Sequence, residues 1–370
     1  MTDQDTKIVD ALAAIANAGT GEQARAIVTS LFPGSNLYAI DHSFSALVPL
    51  GDTNGAAIPL EGVLYEAMGG VETVEVEGSW WTPLPYGRFP LFVLRQDGHE
   101  DPMEPWLRPL FGGVVGRHLS VTESLEAPRR RTQMSVEAHL QWSQVHSRAE
   151  RIGGYEVAGT LEPAYQVAGD IFDFAINPSG RLTIYSLDAM GHGQTATLSA
   201  VLALAAIRNA RLMGADLVEQ MSAADDALFR EWGGDRFTTV VGVEVADEGI
   251  MVVNAGHEPL RMVTADGATS LGLQADPPAG VRNSNEYRLQ ELPPLQIGET
   301  LVMLSDGASD ARNSENLAFG PDRIVSSLQS FRDLRPLPLV HQFVRELLAH
   351  SPDHADDITA VAVRKSPIDG

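Results

Sequence analysis

A chain of 370 residues exceeds what one hydrophobic core supports, so at about 150 residues per domain it is expected to hold two domains, at most three. With 26 Lys and Arg against 49 Asp and Glu, the formal net charge of −23 repels nucleic-acid backbones and anionic lipid surfaces alike, so neither is expected as a partner. The absence of cysteine excludes disulfides, thiolate metal sites and cysteine nucleophiles. The first residues, Met1-Thr2-Asp3-Gln4-Asp5, are acidic where a signal peptide is basic. The most apolar run, Leu198 to Ile207, is too short to span a bilayer, and a cytoplasmic protein is expected.

Ile8, Leu12, Ile15 and Ala16 recur at helical spacing over 6–18, and a second helix is predicted from Glu22 to Leu31 after the Thr20-Gly21 break. Strands follow at Asn36 to Ile40, Ser45 to Leu50, Val71 to Val76 and Phe89 to Leu94. A helix from Gly62 to Met68 separates the second from the third, and a last helix after Pro105 carries Leu107, Leu110, Val114, Val115 and Leu119. This α/β order over roughly residues 5–120 resembles a GAF-type sensor domain, assigned to 1–124. Trp80, Trp81, Tyr86 and Phe89 are enough aromatics to line a ligand pocket, or to build the core of so small a domain.

Pro128 and the run Arg129-Arg130-Arg131 interrupt this pattern; three arginines make a solvated face rather than a nucleic-acid footprint. Residues 132–151 read as one polar helix with Met134, Val136, Leu140, Trp142 and Val145 as its apolar positions, giving a linker over 125–151. So polar a helix needs a surface to pack on. The partner helix of a homodimer, formed through this helix and the N-terminal domain, would supply one; so would the domain that follows. If the front domain selects between those packings, the helix carries its state onward; otherwise it is a passive spacer.

From Gly154 the period becomes two. Strands are predicted at Tyr155 to Leu161, Ile171 to Ile176, Leu182 to Leu187, Phe237 to Val245, Ile250 to Asn254, Leu301 to Ser305 and Ile358 to Val363, with Asp247-Glu248-Gly249 as a hairpin turn. Helices are predicted at about Thr195 to Met213, at Leu217 to Glu231 and between Arg323 and His350. Sheets with segregated helices define an α+β domain over 152–370, a β-sandwich with helices on its outer faces.

Four aspartates stand where these strands start or stop: Asp170 after Gly169, Asp188 in Asp188-Ala189-Met190-Gly191-His192-Gly193, Asp306 in Ser305-Asp306-Gly307, and Asp356 in Asp356-Asp357-Ile358-Thr359. Each alone is ordinary turn chemistry. Converged at one rim, they would make an all-oxygen site suited to Mg(II) or Mn(II).

The chain here resembles the metal-dependent PPM phosphatases, in the branch typified by stage II sporulation protein E and by the phosphatases that reactivate anti-sigma-factor antagonists. The matching strings run in order over about 152–364: Val157-Ala158-Gly159 through Glu162-Pro163-Ala164, Ala168-Gly169-Asp170-Ile171-Phe172-Asp173, the Asp188 string, Phe237-Thr238-Thr239-Val240, Val253-Asn254-Ala255-Gly256-His257, Ser305-Asp306-Gly307 through Asp310-Ala311-Arg312, and the Asp356 string. Ala168 stands where the branch usually has a first glycine, Ala189 where glycine or valine usually follows the central aspartate, and a Leu-Leu-Pro turn common before the domain is missing around Gln144 to Ile152.

The resemblance implies a serine/threonine protein phosphatase holding two Mn(II) or Mg(II) ions. A water between the ions attacks the phosphoryl group directly, without a phosphoenzyme, and the implied substrate is a phosphorylated anti-sigma-factor antagonist. It places Asp188 across both metals, the Ala189 carbonyl on one, Asp306 and Asp356 on the other, and Asp170 on a metal directly or through water. Asp173 and Asp357 are expected to be supporting or structural. His192, four residues after Asp188, is either a proton donor to the serine leaving group or simply the residue leading into the next helix. His257 is expected to support the site from a turn. Arg236 and Arg312 are candidates for holding the substrate phosphate, or surface residues. Two other readings stay open: a phosphatase acting on a small phosphomonoester, and a catalytically silent pseudophosphatase that only binds a partner. No phosphate-cradling Gly-x-x-x-x-Gly-Lys loop supports a kinase or NTPase.

Overall fold

The period-two segments pair into three antiparallel sheets, and helices cover the faces that the strands leave apolar. The computed structural model describes residues 3–50, 56–98, 103–121, 126–162, 165–166, 169–282, 286–352 and 356–367. Pro163, Ala164 and Ala168 of the motifs above, and the expected domain boundary at 124/125, lie outside these. The chain divides into two compact units, residues 1–133 and 134–370.

In the first unit, α1 (Asp3–Ala16) and α2 (Gly21–Leu31) precede β1 (Ser35–Ile40), β2 (Ala46–Pro49) and β3 (Ile58–Pro59). Then come α3 (Gly62–Gly70), β4 (Val74–Val76), β5 (Ser79–Tyr86), β6 (Phe89–Asp97), α4 (Leu107–Val121) and the short α5 (Glu126–Arg129). The sheet order is β3-β2-β1-β6-β5-β4. β5 has no counterpart among the predicted strands because Pro83 and Pro85 argue against a ladder. They are tolerated because β4 pairs only with Ser79 to Trp81, which leaves that side of β5 open beside both prolines, and the register slips between Leu84 and Tyr86. Of the aromatics proposed for a pocket, Trp81 and Phe89 are core and Tyr86 is exposed. The arginine run is only partly a solvated face. Arg129 is buried, with its Nε donating to the Ile40 carbonyl at 2.8 Å, and Arg131 reaches Ser45 Oγ at 3.3 Å and the buried Asp41 carboxylate at 3.8 Å.

The second unit begins with α6 (Val136–Gln144), β7 (Ala149–Ile152), β8 (Tyr155–Glu162), β9 (Asp170–Ile176) and β10 (Leu182–Ala189). The expected single helix over 132–151 is therefore a nine-residue helix followed by a strand. Its buried face is Ala138, Gln141 and Trp142, while Val136 is exposed. Next come α7 (Gln194–Leu212), α8 (Leu217–Trp232), β11 (Thr238–Ala246), β12 (Gly249–Ala255), β13 (Arg261–Thr264), β14 (Gly267–Ser270), β15 (Gln290–Leu292) and β16 (Thr300–Leu304). The chain closes with α9 (Asp306–Asp310), α10 (Gly320–Ser330), α11 (Pro336–His350) and β17 (Ile358–Lys365). The helical stretch predicted between Arg323 and His350 is two helices, the second started by Pro336, whose fixed φ suits a first helical turn.

A five-stranded sheet, β15-β12-β11-β10-β9, faces a six-stranded sheet, β14-β13-β16-β17-β8-β7. The core between them draws Phe172, Ile184, Val241 and Val243 from the first and Val157, Leu161, Met303 and Val361 from the second, with Ala138 and Trp142 of α6 joining it. On the outer face of the five-stranded sheet, α7 packs Ala196, Ala200, Ala203, Leu204 and Ile207, the small residues letting it lie close. α8 starts on a capping box, Asp216 with Glu219, and ends on Gly233 at φ 62. The β-sandwich expected from the period-two strands is present.

Candidate metal centre

Antiparallel pairing of β9 with β10 sets Asp170 directly opposite Asp188, and pairing of β10 with β11 sets Asp188 opposite Thr239. Like charges facing each other across a ladder destabilise a sheet, so this pair has no structural justification of its own. From the other sheet, the Ser305 N–H donates to the Thr359 carbonyl at 3.0 Å and the Thr359 N–H donates to Ser305 Oγ at 2.8 Å. This clamp holds Asp306, at the head of α9, beside Asp356 and Asp357, which lead into β17. Gly307 permits it: a Cβ there would lie 2.0 Å from the Asp357 carbonyl oxygen. The two sheets are then tied at the rim by Asp357, whose Oδ2 accepts from the Gly169 N–H at 2.7 Å.

The acids grade from interior to surface. Asp170 is buried, Asp188 half-buried, and Asp306 and Asp356 exposed. Burial, then the charges of Asp188 and Asp357, push the Asp170 carboxyl well above the usual carboxylate range, and the hydroxyls of Ser305 and Thr359 counter this only in part. Its Oδ2 has no hydrogen-bond partner. Burial, then Asp306 and Asp356, push Asp188 up to about 8. Burial, then Asp356, raise Asp306, which hydrogen-bonds to Asp188. Among the described residues no three such side chains already form a closed cage for an ion. Acids crowded this way resist ionising together, and a cation at the rim would relieve that repulsion. An orphaned buried oxygen, an all-oxygen donor set and acids that repel one another fit a pair of hard divalent cations. Asp170, Asp188, Asp306, Asp356 and the Ala189 carbonyl are the residues that would hold them.

His192 is exposed in the loop leading into α7, between Gly191 and Gly193 at φ 87 and 76. His257 is buried; its N–H donates to Asn254 Oδ1 at 2.8 Å, and its Nδ1 meets Thr239 Oγ1 at 2.9 Å, so it braces the strand opposite Asp188. Burial depresses its imidazole to about 4. Arg236 lies over the Trp232 ring at 6.0 Å; the next carbonyl, that of Phe237, accepts the Met190 N–H at 3.0 Å, beside the loop that follows Asp188. Arg312 is exposed, with its Nη1 donating to the Asn316 carbonyl within its own loop. Asp173 is structural: its carboxylate pairs with Arg208 at 2.6 Å and Arg211 at 2.8 Å, both on α7. Burial alone would raise it, but the two guanidiniums outweigh burial and hold it below the usual range.

Two residues near the rim escaped sequence reasoning. Glu258, directly after the His257 turn, is raised by burial, relieved by Arg261, and feels Asp306 and Asp310. Gln141 of α6 donates from Nε2 to the Asp170 carbonyl at 2.6 Å.

The sequence model of the Stage II sporulation protein E (SpoIIE) family matches residues 178–366, just over half of the chain. The chain belongs to this family. Among curated proteins, this SpoIIE-family chain is 26% identical over 128 residues to Protein IcfG of Synechocystis sp., covering 34% of this chain and 20% of that protein. Among solved structures, the RsbU and RsbW domains of Rv1364c from Mycobacterium tuberculosis superpose with a TM-score of 0.50 at 22% identity, over 59% of this chain and 63% of that one. The phosphatase domain and regulatory fragment of SpoIIE from Bacillus subtilis superpose with a TM-score of 0.50 at 17% identity, over 57% of this chain and 62% of that one. The SpoIIE-family chain thus spans about a fifth of its cyanobacterial relative and about three fifths of the two solved chains. These likenesses establish the PPM phosphatase fold of the second unit.

Proposed function

We propose that this protein is a Mn(II)- or Mg(II)-dependent serine/threonine protein phosphatase. Its substrate is a phosphoserine or phosphothreonine protein, an anti-sigma-factor antagonist in a bacterial signalling pathway, and it acts in the cytoplasm. The observation that carries this reading is the opposition of Asp170 and Asp188 on neighbouring strands, with Asp306 and Asp356 brought to the same rim from the facing sheet. Family membership supports it. When bound, two divalent cations supply an acidified water and neutralise charge on the attacking and leaving oxygens of the phosphoryl group.

The chain's own residues do the rest. Asp188, the member of the first pair that hydrogen-bonds to Asp306, links the pair from one sheet to the pair from the other. Asp357 and the Ser305–Thr359 clamp fix the spacing of the two sheet ends. The exposed loop carrying Met190 and His192 follows Asp188 directly, and His192 is the candidate proton donor to the leaving oxygen. The first unit is a GAF-type sensor; its six antiparallel strands flanked by helices support this.

The test is phosphate release from p-nitrophenyl phosphate and from serine-phosphorylated protein. Activity is expected to vanish in EDTA and return with Mn(II) or Mg(II), with Zn(II) a poor substitute at a site without thiolates. Undiminished turnover in metal-free buffer refutes the reading. Metal binding without turnover on either substrate would identify a pseudophosphatase.

A further inference from the structure

α6 is built into the phosphatase unit rather than laid along it. Ser135 caps its first turn and its N–H donates to the Tyr165 carbonyl at 2.8 Å, Ala138 and Trp142 enter the core between the sheets, and the Arg148 guanidinium covers the Trp142 ring at 3.7 Å. Among these apolar contacts stands Gln141, fully buried, with its Oε1 unpartnered. A buried amide with one end unsatisfied costs stability that an apolar residue at the same place would not. Its other end makes one strong contact, the 2.6 Å hydrogen bond from Nε2 to the main-chain oxygen of Asp170.

The place of that contact is telling. Among the described residues β9 is the edge strand of its sheet, with β10 on one side and no strand on the other. Backbone groups on the open side need partners from elsewhere, and at Asp170 the donor is Gln141. A second tie runs parallel to it: Arg208 Nη2 donates to the Gln144 carbonyl at 2.6 Å and to Asp173 Oδ1 at 2.6 Å. The start of β9 is thus held by α6 directly at Asp170, whose carboxylate enters the candidate metal rim, and through Arg208 of α7 three residues later.

We propose that Gln141 is a positioning residue that sets the backbone of Asp170, and through it the geometry of the metal site. The inference deepens the phosphatase reading and rests on it. Partners that orient metal ligands typically change metal affinity about 10- to 100-fold when lost.

The experiment uses the full chain and two variants that remove the donor at similar volume, Gln141→Met and Gln141→Leu. Mn(II) affinity is read by calorimetry, p-nitrophenyl phosphate turnover is measured across a Mn(II) titration, and melting temperature is read in EDTA. The expected result is a Mn(II) dissociation constant raised about tenfold or more, with kcat largely recovered at saturating Mn(II) and melting in EDTA little changed. A wild-type chain that binds Mn(II) and turns over, with variants of unchanged Mn(II) affinity, overturns the inference alone. So do variants that melt earlier or fail to fold without a shift in Mn(II) affinity, since a glutamine of the core would behave so. A wild-type chain that neither binds Mn(II) nor turns over removes the phosphatase reading and this inference together.

Discussion

Replacing Asp188 by asparagine is expected to abolish turnover and, without metal, to make the protein more stable. The side chain keeps its size and loses its charge. Asp188 is raised from an ordinary 3.8 to about 8, by burial first and then by Asp306 and Asp356. A carboxyl whose folded-state pKa exceeds its unfolded value costs the folded state progressively as pH rises from 3.8 towards 8. At pH 7 that amounts to about 4 kcal/mol if Asp188 bears it alone. Because Asp306 and Asp356 share the repulsion, one substitution should recover about 1–3 kcal/mol, a rise in melting temperature of roughly 3–10 °C for a unit of this size. The gain should shrink steeply towards pH 4 and vanish below about pH 3, where wild-type Asp188 is protonated in both states. Melting curves of the two proteins in EDTA at pH 4, 7 and 8, repeated at pH 7 with Mn(II), test this, with the wild type gaining more from the metal. A variant less stable than wild type in EDTA at pH 7, a gain independent of pH, or turnover at the wild-type rate would refute the electrostatic account of the site.

Asp173→Asn strands Arg208 and Arg211 in a buried setting and is expected to cost about 3–5 kcal/mol, read as a lowered urea midpoint; a loss below 1 kcal/mol would show the pairing to be incidental. Since Asp173 is held below its ordinary value, its contribution is full above pH 3.8 and fades as pH falls through the lower folded-state value. His257, buried neutral and depressed from 6.5 to about 4, contributes stability that is full above pH 6.5 and falls by about 3 kcal/mol on acidification towards pH 4. His257→Gln should flatten that part of the pH–stability curve, and an unchanged slope would disprove the assignment.

The rim was legible because aspartates beside glycines at strand ends are a local signal, and the long alternating strands β8, β10 and β11 announce themselves by period. What escaped depends on neighbours that a single chain does not display. β5 reads as loop because Pro83 and Pro85 forbid a ladder, unless β4 happens to be too short to pair there. β13, β14 and β15 are three or four residues long, below the length at which alternation is distinct. The buried face of α6 was misread because Gln141 looks like a solvent residue, while Leu140 and Val136 look like core; only the edge of β9 gives the glutamine its partner. Arg129 and Arg131 were read as solvated because nothing in their spacing reveals the Ile40 carbonyl or the Asp41 loop.

These misses share a cause that bears on how the metal rim is built. Its candidate ligands come in pairs from two sheets that share no strand ladder, so their spacing is set by side-chain packing and a few rim hydrogen bonds. Near the rim that packing includes Gly159 on β8 against Phe172 on β9, where a Cβ on Gly159 would lie 2.7 Å from the Phe172 ring. Phe172 is two residues from Asp170, so this tight contact between the two sheets and the position of a candidate metal-site acid are adjacent on one strand. Asp357 bonding to Gly169 ties the sheets from the six-stranded side, Gln141 of α6 holds the free edge of β9, and Arg208 of α7 pairs with Asp173 further along the strand. Asp170 is thus fixed from three directions while Asp306 and Asp356 stay exposed. A rim with one buried end and one open end would hold cations from the interior side and leave the solvent side free for a phosphorylated substrate under the proposed reading.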